Sequence, residues 1–174
     1  DGITISDYLK TDTDDILKQL KLRFEDYKPD KVKRIWVDKP YGGKRPLGIS
    51  TIEDRIIQQA IKQVLEPWCE ARFHPHSYGF RPLRGAHHAF SRAVTLINIA
   101  HTYYIVNIDL KDFFDNVSYR KLNKALWNIG IRDKKLLSII DKILHSEIFG
   151  EGESDKGLVQ GGILSPLLSN ILLN

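Results

Sequence analysis

The run from Tyr103 to Ile108 constrains the fold most, because it is short and almost continuously apolar. A run of this length favours a strand that is buried on both faces. Asp109 follows it directly, which predicts a carboxylate at the mouth of a buried strand. Such a carboxylate is costly to desolvate unless a cation or donors meet it, and Mg²⁺ prefers carboxylate and phosphate oxygens. On spacing alone, the favoured alternative is that Asp109 or Asp115 caps the following helix.

The remaining periodicity predicts a mixed α+β chain with few strands. Residues 12–26 have helical spacing, and residues 33–38 and 45–49 are predicted strands joined by a turn over 41–44. Thr51 is a predicted N-cap, with Asp54 in a capping box. The apolar face expected for the helix after Thr51 comprises Ile56, Ile57, Ala60, Ile61, Val64, Leu65 and Trp68. The residues expected to face water are Gln58, Gln59, Lys62, Gln63 and Glu66.

Further helices are predicted towards the end of the chain. Ser118 and Asp133 are candidate N-caps, and Ser165 is an N-cap candidate followed by proline. The helix after Ser165 stops with the chain, so we expect it to lack packing partners. Together with the absence of Met, this indicates a piece of a longer polypeptide.

Composition narrows the class of protein. Hydrophobic residues make up 42% and charged residues 28% of the 174 residues, which is typical of a soluble globular protein. No apolar run reaches the roughly 20 residues of a membrane span, so no membrane partner is expected. The single cysteine, Cys69, excludes a disulfide framework and predicts a reducing, cytoplasmic location. We expect Cys69 to pack in the core and His74 and His76 to be structural or surface residues.

Positive charge is concentrated in the middle of the chain. The net charge is +4, but residues 28–92 carry 13 Lys and Arg against 6 Asp and Glu, a balance of +7. A solvated basic face is one interpretation. Aromatic residues in the same stretch favour nucleic acid, since bases stack on such rings and phosphates neutralise the cations. These aromatic residues are Trp36, Tyr41, Tyr78 and Phe80.

Two further segments are candidates for ligand contact. The segment 157–166 carries paired glycines, Gly161 and Gly162, before a helix start. Glycine lets a backbone approach a ligand closely, although a flexible turn before a capped helix is the simpler interpretation. The segment 77–82 places Tyr78, Phe80 and Arg81 around a glycine, as a stacking platform or a turn at the edge of the core.

Taken together, these segments resemble the reverse-transcriptase domain of group II intron-encoded proteins, the intron maturases. The resemblance runs from about residue 31 to 174 in the motif order of that family. Val159 stands where the family usually has proline, before Gln160 and the two glycines. The matching segments are 44–51 with Asp54 and Arg55, 65–67, 77–82, 109–116 and 157–170.

The resemblance implies a right-hand polymerase fold. Residues 1–100 would form an N-terminal extension and the fingers. Residues 101–174 would form the start of the palm with a helical fingers/palm segment. The family's second catalytic motif, a Tyr-Ala-Asp-Asp-like turn, is expected beyond residue 174, since the 174 residues contain no such sequence.

The resemblance also implies a function. The full-length protein would be an RNA-directed DNA polymerase that binds intron RNA, assists its splicing and copies RNA into cDNA by two-metal nucleotidyl transfer. Asp109 would be the catalytic ligand of two Mg²⁺ ions, together with the carbonyl of Leu110. Phe114 would exclude the 2′-hydroxyl of ribonucleotides. The partners would be group II intron RNA, an RNA template with a DNA primer, and dNTPs.

The remaining site residues follow from the same resemblance. Arg45 and Lys39, with Lys44 as a competitor, would hold the triphosphate. Gln160 and Gly161 would contact the incoming nucleotide. The expected nucleic-acid-binding residues are Lys31, Lys33, Arg34, Tyr78, Phe80, Arg81 and Arg84.

Other functions remain open at this level. One is an RNA-binding splicing cofactor without polymerase activity, and another is a reverse transcriptase of a retron, a diversity-generating element or a CRISPR locus. An exposed final helix would favour a homodimer. The chain alone is expected to be inactive as a polymerase.

Overall fold

The structure, a computed structural model, describes residues 4–40 and 42–174. Helices dominate it, and one antiparallel strand pair lies near its N-terminal side. None of the helices in the described ranges is long and apolar enough to cross a membrane. The helices are α1 (Ile5–Tyr8), α2 (Thr13–Glu25), α3 (Ile52–Glu70), α4 (Ala86–Asn98), α5 (Tyr119–Asn128), α6 (Lys134–Leu144) and α7 (Ser165–Leu173), with a 3₁₀ turn over Phe114–Asn116. The strands are β1 (Lys33–Asp38) and β2 (Lys44–Ile49).

The strand pair confirms the predicted hairpin, with β2 beginning one residue earlier than expected. Lys33 pairs with Ile49 at one end and Asp38 with Lys44 at the other. Gly42 and Gly43 both have positive φ, which supports a tight turn. Tyr41, which belongs to the predicted turn, lies outside the described residues.

One apolar core joins the two halves of the chain. It combines α3 with α5, α6 and α7, and its fully buried residues include Leu122, Leu126 and Ile140. Helix α7 lies within this core, where Leu167, Leu168 and Ile171 are buried. The expectation that the final helix lacks packing partners is therefore wrong, because α5 and α3 supply them.

Helix α3 begins as predicted and buries part of the predicted apolar face. Thr51 caps it by accepting a hydrogen bond from the Asp54 N–H. The buried stripe is Ile57, Ile61, Leu65 and Cys69, at a spacing of four residues. Val64 is 73% exposed and Trp68 44% exposed, contrary to prediction. Burial raises the pKa of the Cys69 thiol to about 11, so this thiol stays protonated, as expected of a core residue.

Gln58 is the second difference in α3, since it was expected to face water and is buried. Its Oε1 accepts a hydrogen bond from the Ile163 N–H at 3.2 Å. Its Nε2 donates to Ser50 Oγ at 3.5 Å. A buried amide is stable here because both of its ends have partners. One partner, Ile163, lies 105 residues further along the chain, and periodicity does not show such a contact.

The predicted strand over 103–108 is wrong in this structure. Residues 101–110 have no regular secondary structure and are exposed, Val106 by 82%. A buried strand needs hydrogen-bonding neighbours and covered faces, and no strand of the described residues pairs with this segment. Asp109 consequently lies in an exposed segment rather than at the mouth of a buried strand.

A polar network attaches α1 and α2 to the start of α3. The Asp54 carboxylate is buried and accepts hydrogen bonds from Tyr27 Oη and Arg23 Nη2, both at 2.9 Å, and from the Asp30 N–H at 2.8 Å. Arg23 also pairs with Asp30 and Glu53. Burial raises the pKa of Asp54, and the three donors act in the opposite direction. Residues 4–27 are thus fixed to α3 by charge-assisted hydrogen bonds.

Replacing Arg23 should test this attachment. Arg23→Ala is expected to lower the free energy of unfolding by about 2–3 kcal/mol, because Asp54 keeps a buried carboxylate with one charged donor fewer. Urea denaturation followed by circular dichroism measures the change. Lys18→Ala is the control, since Lys18 forms only an exposed ion pair with Asp15. Equal stabilities of the two variants would contradict a stabilising role for Arg23.

Candidate active site

Three distant segments meet through backbone hydrogen bonds around the glycine-rich loop, defined here as residues 157–162. The Gly48 N–H of β2 donates to the Gln160 carbonyl at 2.7 Å. The Leu158 N–H donates to the Phe114 carbonyl at 2.7 Å, and the Gly157 N–H to the Val117 carbonyl at 2.8 Å. The loop is therefore held from both sides, by the hairpin and by the 3₁₀ turn.

Gly161 lies where the glycine-rich loop passes closest to the hairpin. Its φ is +95°, and a Cβ atom there would lie 2.7 Å from Leu47 Cδ1 and 3.1 Å from the Gly48 carbonyl oxygen. Both the backbone conformation and the lack of space require glycine. Neighbouring Gln160 donates from Nε2 to Asp115 Oδ1 at 3.3 Å. The structure thus brings Gln160 and Gly161 next to the segment that carries Phe114.

The glycine-rich loop ends at the start of α7. Ser165 is the first helical residue rather than the N-cap, which is Leu164. The Ser165 hydroxyl donates to the Val159 carbonyl at 2.7 Å, so it closes the loop and leaves the helix uncapped by a side chain. The predicted N-cap role of Ser165 is therefore wrong, although Pro166 does lie in the first turn.

Phe114 is half-buried beneath the glycine-rich loop. Its ring packs against the apolar core and meets Phe113 edge-to-face, with 5.7 Å between centroids. The core thus fixes this ring, and the hydrogen bond from Leu158 fixes its backbone. The position is rigid enough for the ring to act as a steric limit on a bound ligand.

Asp109 and Leu110 lie in the exposed segment before the 3₁₀ turn. A carboxylate and a carbonyl are oxygen donors that suit Mg²⁺, which takes six ligands in octahedral geometry. Within residues 4–40 and 42–174, no three His, Cys, Asp or Glu side chains lie close enough together to hold a metal ion. The assignment of Asp109 and Leu110 as magnesium ligands is therefore taken up below as a proposal.

Lys39 and Arg45 lie on the exposed hairpin. The Lys39 N–H donates to the Gly43 carbonyl at 2.9 Å, and Arg45 pairs across the sheet with Val37. In the described part of the chain, neither side chain forms an ion pair with a carboxylate. Both cations are therefore available to an anionic ligand.

A cavity of about 300 Å³ lies beside the contact between the hairpin and the glycine-rich loop. It has apolar lining residues as well as polar ones, and we call it the polar cavity after Arg34, Asp115 and Lys156 in its lining. Lys156 is one of its lining residues and donates to Asn116 Oδ1 at 2.9 Å. Tyr119 is another, and burial raises the pKa of its hydroxyl to about 12 while that hydroxyl donates to the Leu144 carbonyl at 2.7 Å. Sequence reasoning missed Lys156, treated Asp115 as a possible helix cap and expected Gln58 to face water. Only the pairing of segments far apart in the chain identifies them.

The expected nucleic-acid-binding residues fall into two groups. On the hairpin side, Lys31 pairs with Glu147 and Arg34 with Glu151, while Lys33 is exposed. Arg34 also lines the polar cavity.

The second group surrounds the loop before α4. Phe80 is 72% exposed with a positive φ, and the Arg84 guanidinium lies 5.8 Å from the centroid of the Tyr78 ring. Arg81 differs from both, because it is buried and donates hydrogen bonds to Glu70 and to two backbone carbonyls. Arg81 therefore holds this loop together and has no free donor face for a phosphate.

Substitution of Gly161 should disturb the glycine-rich loop more than a matched glycine elsewhere. Gly150 has a similar φ of +83° but open space around it, so Gly150→Ala is expected to cost about 1 kcal/mol. Gly161→Ala should cost about 2 kcal/mol more, because the new methyl group meets Leu47 and the Gly48 carbonyl. Urea unfolding of both variants measures the difference. Equal costs would contradict the close approach.

Proteins from bacteria and yeast are similar to this chain. Group II intron-encoded protein LtrA of Lactococcus lactis subsp. cremoris is 38% identical over 152 residues, covering 85% of this chain and 25% of LtrA. Protein YkfC of Escherichia coli is 38% identical over 154 residues, covering 85% of this chain and 40% of YkfC. An uncharacterized 91 kDa protein in the cob intron of Schizosaccharomyces pombe is 35% identical over 164 residues, covering 92% and 20%.

These relatives are much longer than the matched region, so the chain spans less than half of each of them. The family described as reverse transcriptase (RNA-dependent DNA polymerase) matches residues 37–174, which include β2, the 3₁₀ turn and the glycine-rich loop. Because this match covers most of the chain, the protein belongs to the reverse transcriptase family, and group II intron-encoded proteins are among its relatives.

Proposed function

We propose that the complete protein is an RNA-directed DNA polymerase of the group II intron maturase type. The observation that carries the proposal is the glycine-rich loop, held by backbone hydrogen bonds against β2 and the carbonyl of Phe114 inside the region of the family match. Residues 1–100 would be the N-terminal extension and fingers, and residues 101–174 the start of the palm. The nucleotide would lie between the hairpin and this loop.

The chain's own residues suggest how a nucleotide is held. Arg45 and Lys39 carry free cations on the hairpin, and a guanidinium fork suits triphosphate oxygens. Gly161 keeps the loop against Leu47 and Gly48 of the hairpin, and Gln160 beside it would contact the incoming nucleotide. The fixed ring of Phe114 would clash with a 2′-hydroxyl and so select deoxynucleotides. We assign the lysine contact with the triphosphate to Lys39 rather than to Lys44.

We assign the first metal-binding carboxylate to Asp109, with the Leu110 carbonyl as a second oxygen ligand. Further ligands would come from outside the described residues, including a Tyr-Ala-Asp-Asp-like motif. Bound Mg²⁺ supplies Lewis-acid stabilisation of the charge that develops during phosphoryl transfer. The 174-residue chain on its own should then not extend a DNA primer on an RNA template.

Asparagine at position 109 tests this assignment in the full-length protein. Asp109→Asn removes the charge with little change in shape, so cDNA synthesis on an RNA template is expected to disappear while RNA binding is unchanged. Asp112→Asn is the matched control, because Asp112 is exposed in the same segment and asparagine tolerates its positive φ. Primer extension with Mg²⁺ and dNTPs is the measurement. Full synthesis by the Asp109 variant would show that the assignment is wrong.

Binding of intron RNA to assist splicing is the second activity we propose. The basic residues 28–92 favour it, and Lys33 is the cation of the hairpin group with no ion pair among the described residues. An RNA-binding splicing cofactor without polymerase activity would share this surface, and only the Asp109 experiment separates the two. A reverse transcriptase of a retron, a diversity-generating element or a CRISPR locus is the remaining alternative for the complete protein.

Charge reversal at Lys33 tests RNA binding. Lys33→Glu should weaken binding of intron RNA and lower the slope of log affinity against log salt by about 0.7–0.9, as for one lost phosphate contact. Lys10→Glu is the control, since Lys10 is also exposed but lies in the acidic first segment, residues 1–27, which carry 4 Lys and Arg against 7 Asp and Glu. Fluorescence anisotropy at several salt concentrations gives both values. An unchanged slope would remove Lys33 from the interface.

The intracellular, cytoplasmic location and the homodimer stay proposals. The homodimer was expected because the final helix was predicted to be exposed. That argument no longer holds, because the apolar face of α7 is buried in the core. Exposed apolar residues lie instead in the segment 101–110 and on α4.

A further inference from the structure

A second group of basic residues lies on α5, in the turn after it and at the start of α6. Residues 120–135 carry six cations and one carboxylate, Asp133, which gives a balance of +5. The longer region 93–174 around them has a net charge of zero. All six cations are exposed. We call this the α5 surface, formed by Arg120, Lys121, Lys124, Arg132, Lys134 and Lys135.

These charges have no internal counterpart in the described residues. None of the six forms an ion pair within 4 Å there. The carboxylate of Asp133 is already engaged, because it accepts the Leu136 N–H at 2.8 Å as the N-cap of α6. The α5 surface is therefore a concentration of unneutralised positive charge.

The placement of these cations costs stability. Arg120 and Lys124 are four residues apart on α5, and Lys121 and Lys124 are three apart, so like charges repel on one helix face. Lys134 and Lys135 occupy the first turn of α6, where the helix dipole disfavours positive charge. Folding does not explain this arrangement, but an anionic ligand would remove the repulsion.

Two indole rings border the α5 surface. Trp127, in the last turn of α5, is 47% exposed, and the Arg132 guanidinium lies 5.6 Å from its ring centroid. Trp68 donates from Nε1 to the Ile129 carbonyl at 3.1 Å and carries the Arg72 guanidinium 3.5 Å from its ring centroid. Trp68 is thereby fixed against the turn after α5, while Trp127 has the more open ring.

We propose that the α5 surface binds single-stranded nucleic acid, with phosphates on the six cations and a base stacked on Trp127. Proteins that bind single strands combine cations, which contact the phosphates, with exposed aromatic rings, on which the bases stack. A protein partner fits less well, because the cores of protein interfaces are depleted in charge. The proposed function places RNA on the hairpin and near Tyr78, so this site lies outside it. Trp127 is about 12 Å along α5 from Tyr119, which lines the polar cavity.

Binding of 12-nucleotide labelled strands, one RNA and one DNA of the same A-rich sequence, tests the proposal on the 174-residue chain. Trp127→Ala should weaken binding about tenfold through lost stacking, and Trp127→Phe should restore most of it. Lys124→Glu with Lys134→Glu should lower the salt slope by about 1.4, for two lost contacts. The matched control reverses Lys10 and Lys21, which are exposed on the acidic first segment. Circular dichroism verifies folding of every variant.

The pattern of losses decides the outcome. Trp127-dependent binding of either strand supports the proposal, and the strand that binds identifies the ligand. Inorganic polyphosphate should compete equally with wild type and Trp127→Ala, since it has no bases. The proposal is overturned if Trp127→Ala and the Lys124, Lys134 variant both bind like wild type. If Lys33→Glu alone lowers affinity in that case, RNA binding at the hairpin stands and only the α5 surface fails.

Discussion

The candidate site depends on the backbone hydrogen bonds of the glycine-rich loop. Gly48 and Phe114 are separated by more than sixty residues, and they become neighbours because the loop bonds to both. Glycine at 161 is what permits this, since any side chain there would push the hairpin away. The same loop also lines the cavity and places Gln160 within hydrogen-bonding distance of Asp115.

Two other features support the arrangement. The buried Asp54 carboxylate of α3 accepts hydrogen bonds from Arg23, Tyr27 and the Asp30 N–H. These bonds fix α2 and the segment before β1 against α3, and so they fix the start of the hairpin. Gln58 of the same helix holds the end of the glycine-rich loop at Ile163. Helix α3 is therefore a common support for the hairpin and the loop, and its apolar face connects both to α5, α6 and α7.

Much of the local structure could be predicted from sequence. The hairpin strands, the Thr51 and Asp133 caps and the helices from 13, 52, 119 and 134 agree with the patterns that predicted them. The errors concern partners. The run 103–108 has strand composition but no neighbouring strand in the described residues, and α7 finds partners that lie earlier in the chain. Trp68 and Val64 were assigned to the core because hydrophobicity alone does not say which of two adjacent helix faces is covered.

The sequence by itself determined the family and most of the elements, because caps, turns, apolar spacing and motif order are local properties of the chain. Asp109, Phe114 and Gln160 were identified at that level as candidates. Only the tertiary structure showed that Gln160 donates a hydrogen bond to Asp115 and that Arg81 is bound to Glu70. It also showed that, among the described residues, the cations of the α5 surface form no ion pair. The physical reason is that hydrogen-bond satisfaction and charge neutralisation depend on which distant groups come within a few ångströms, and periodicity carries no information about that distance.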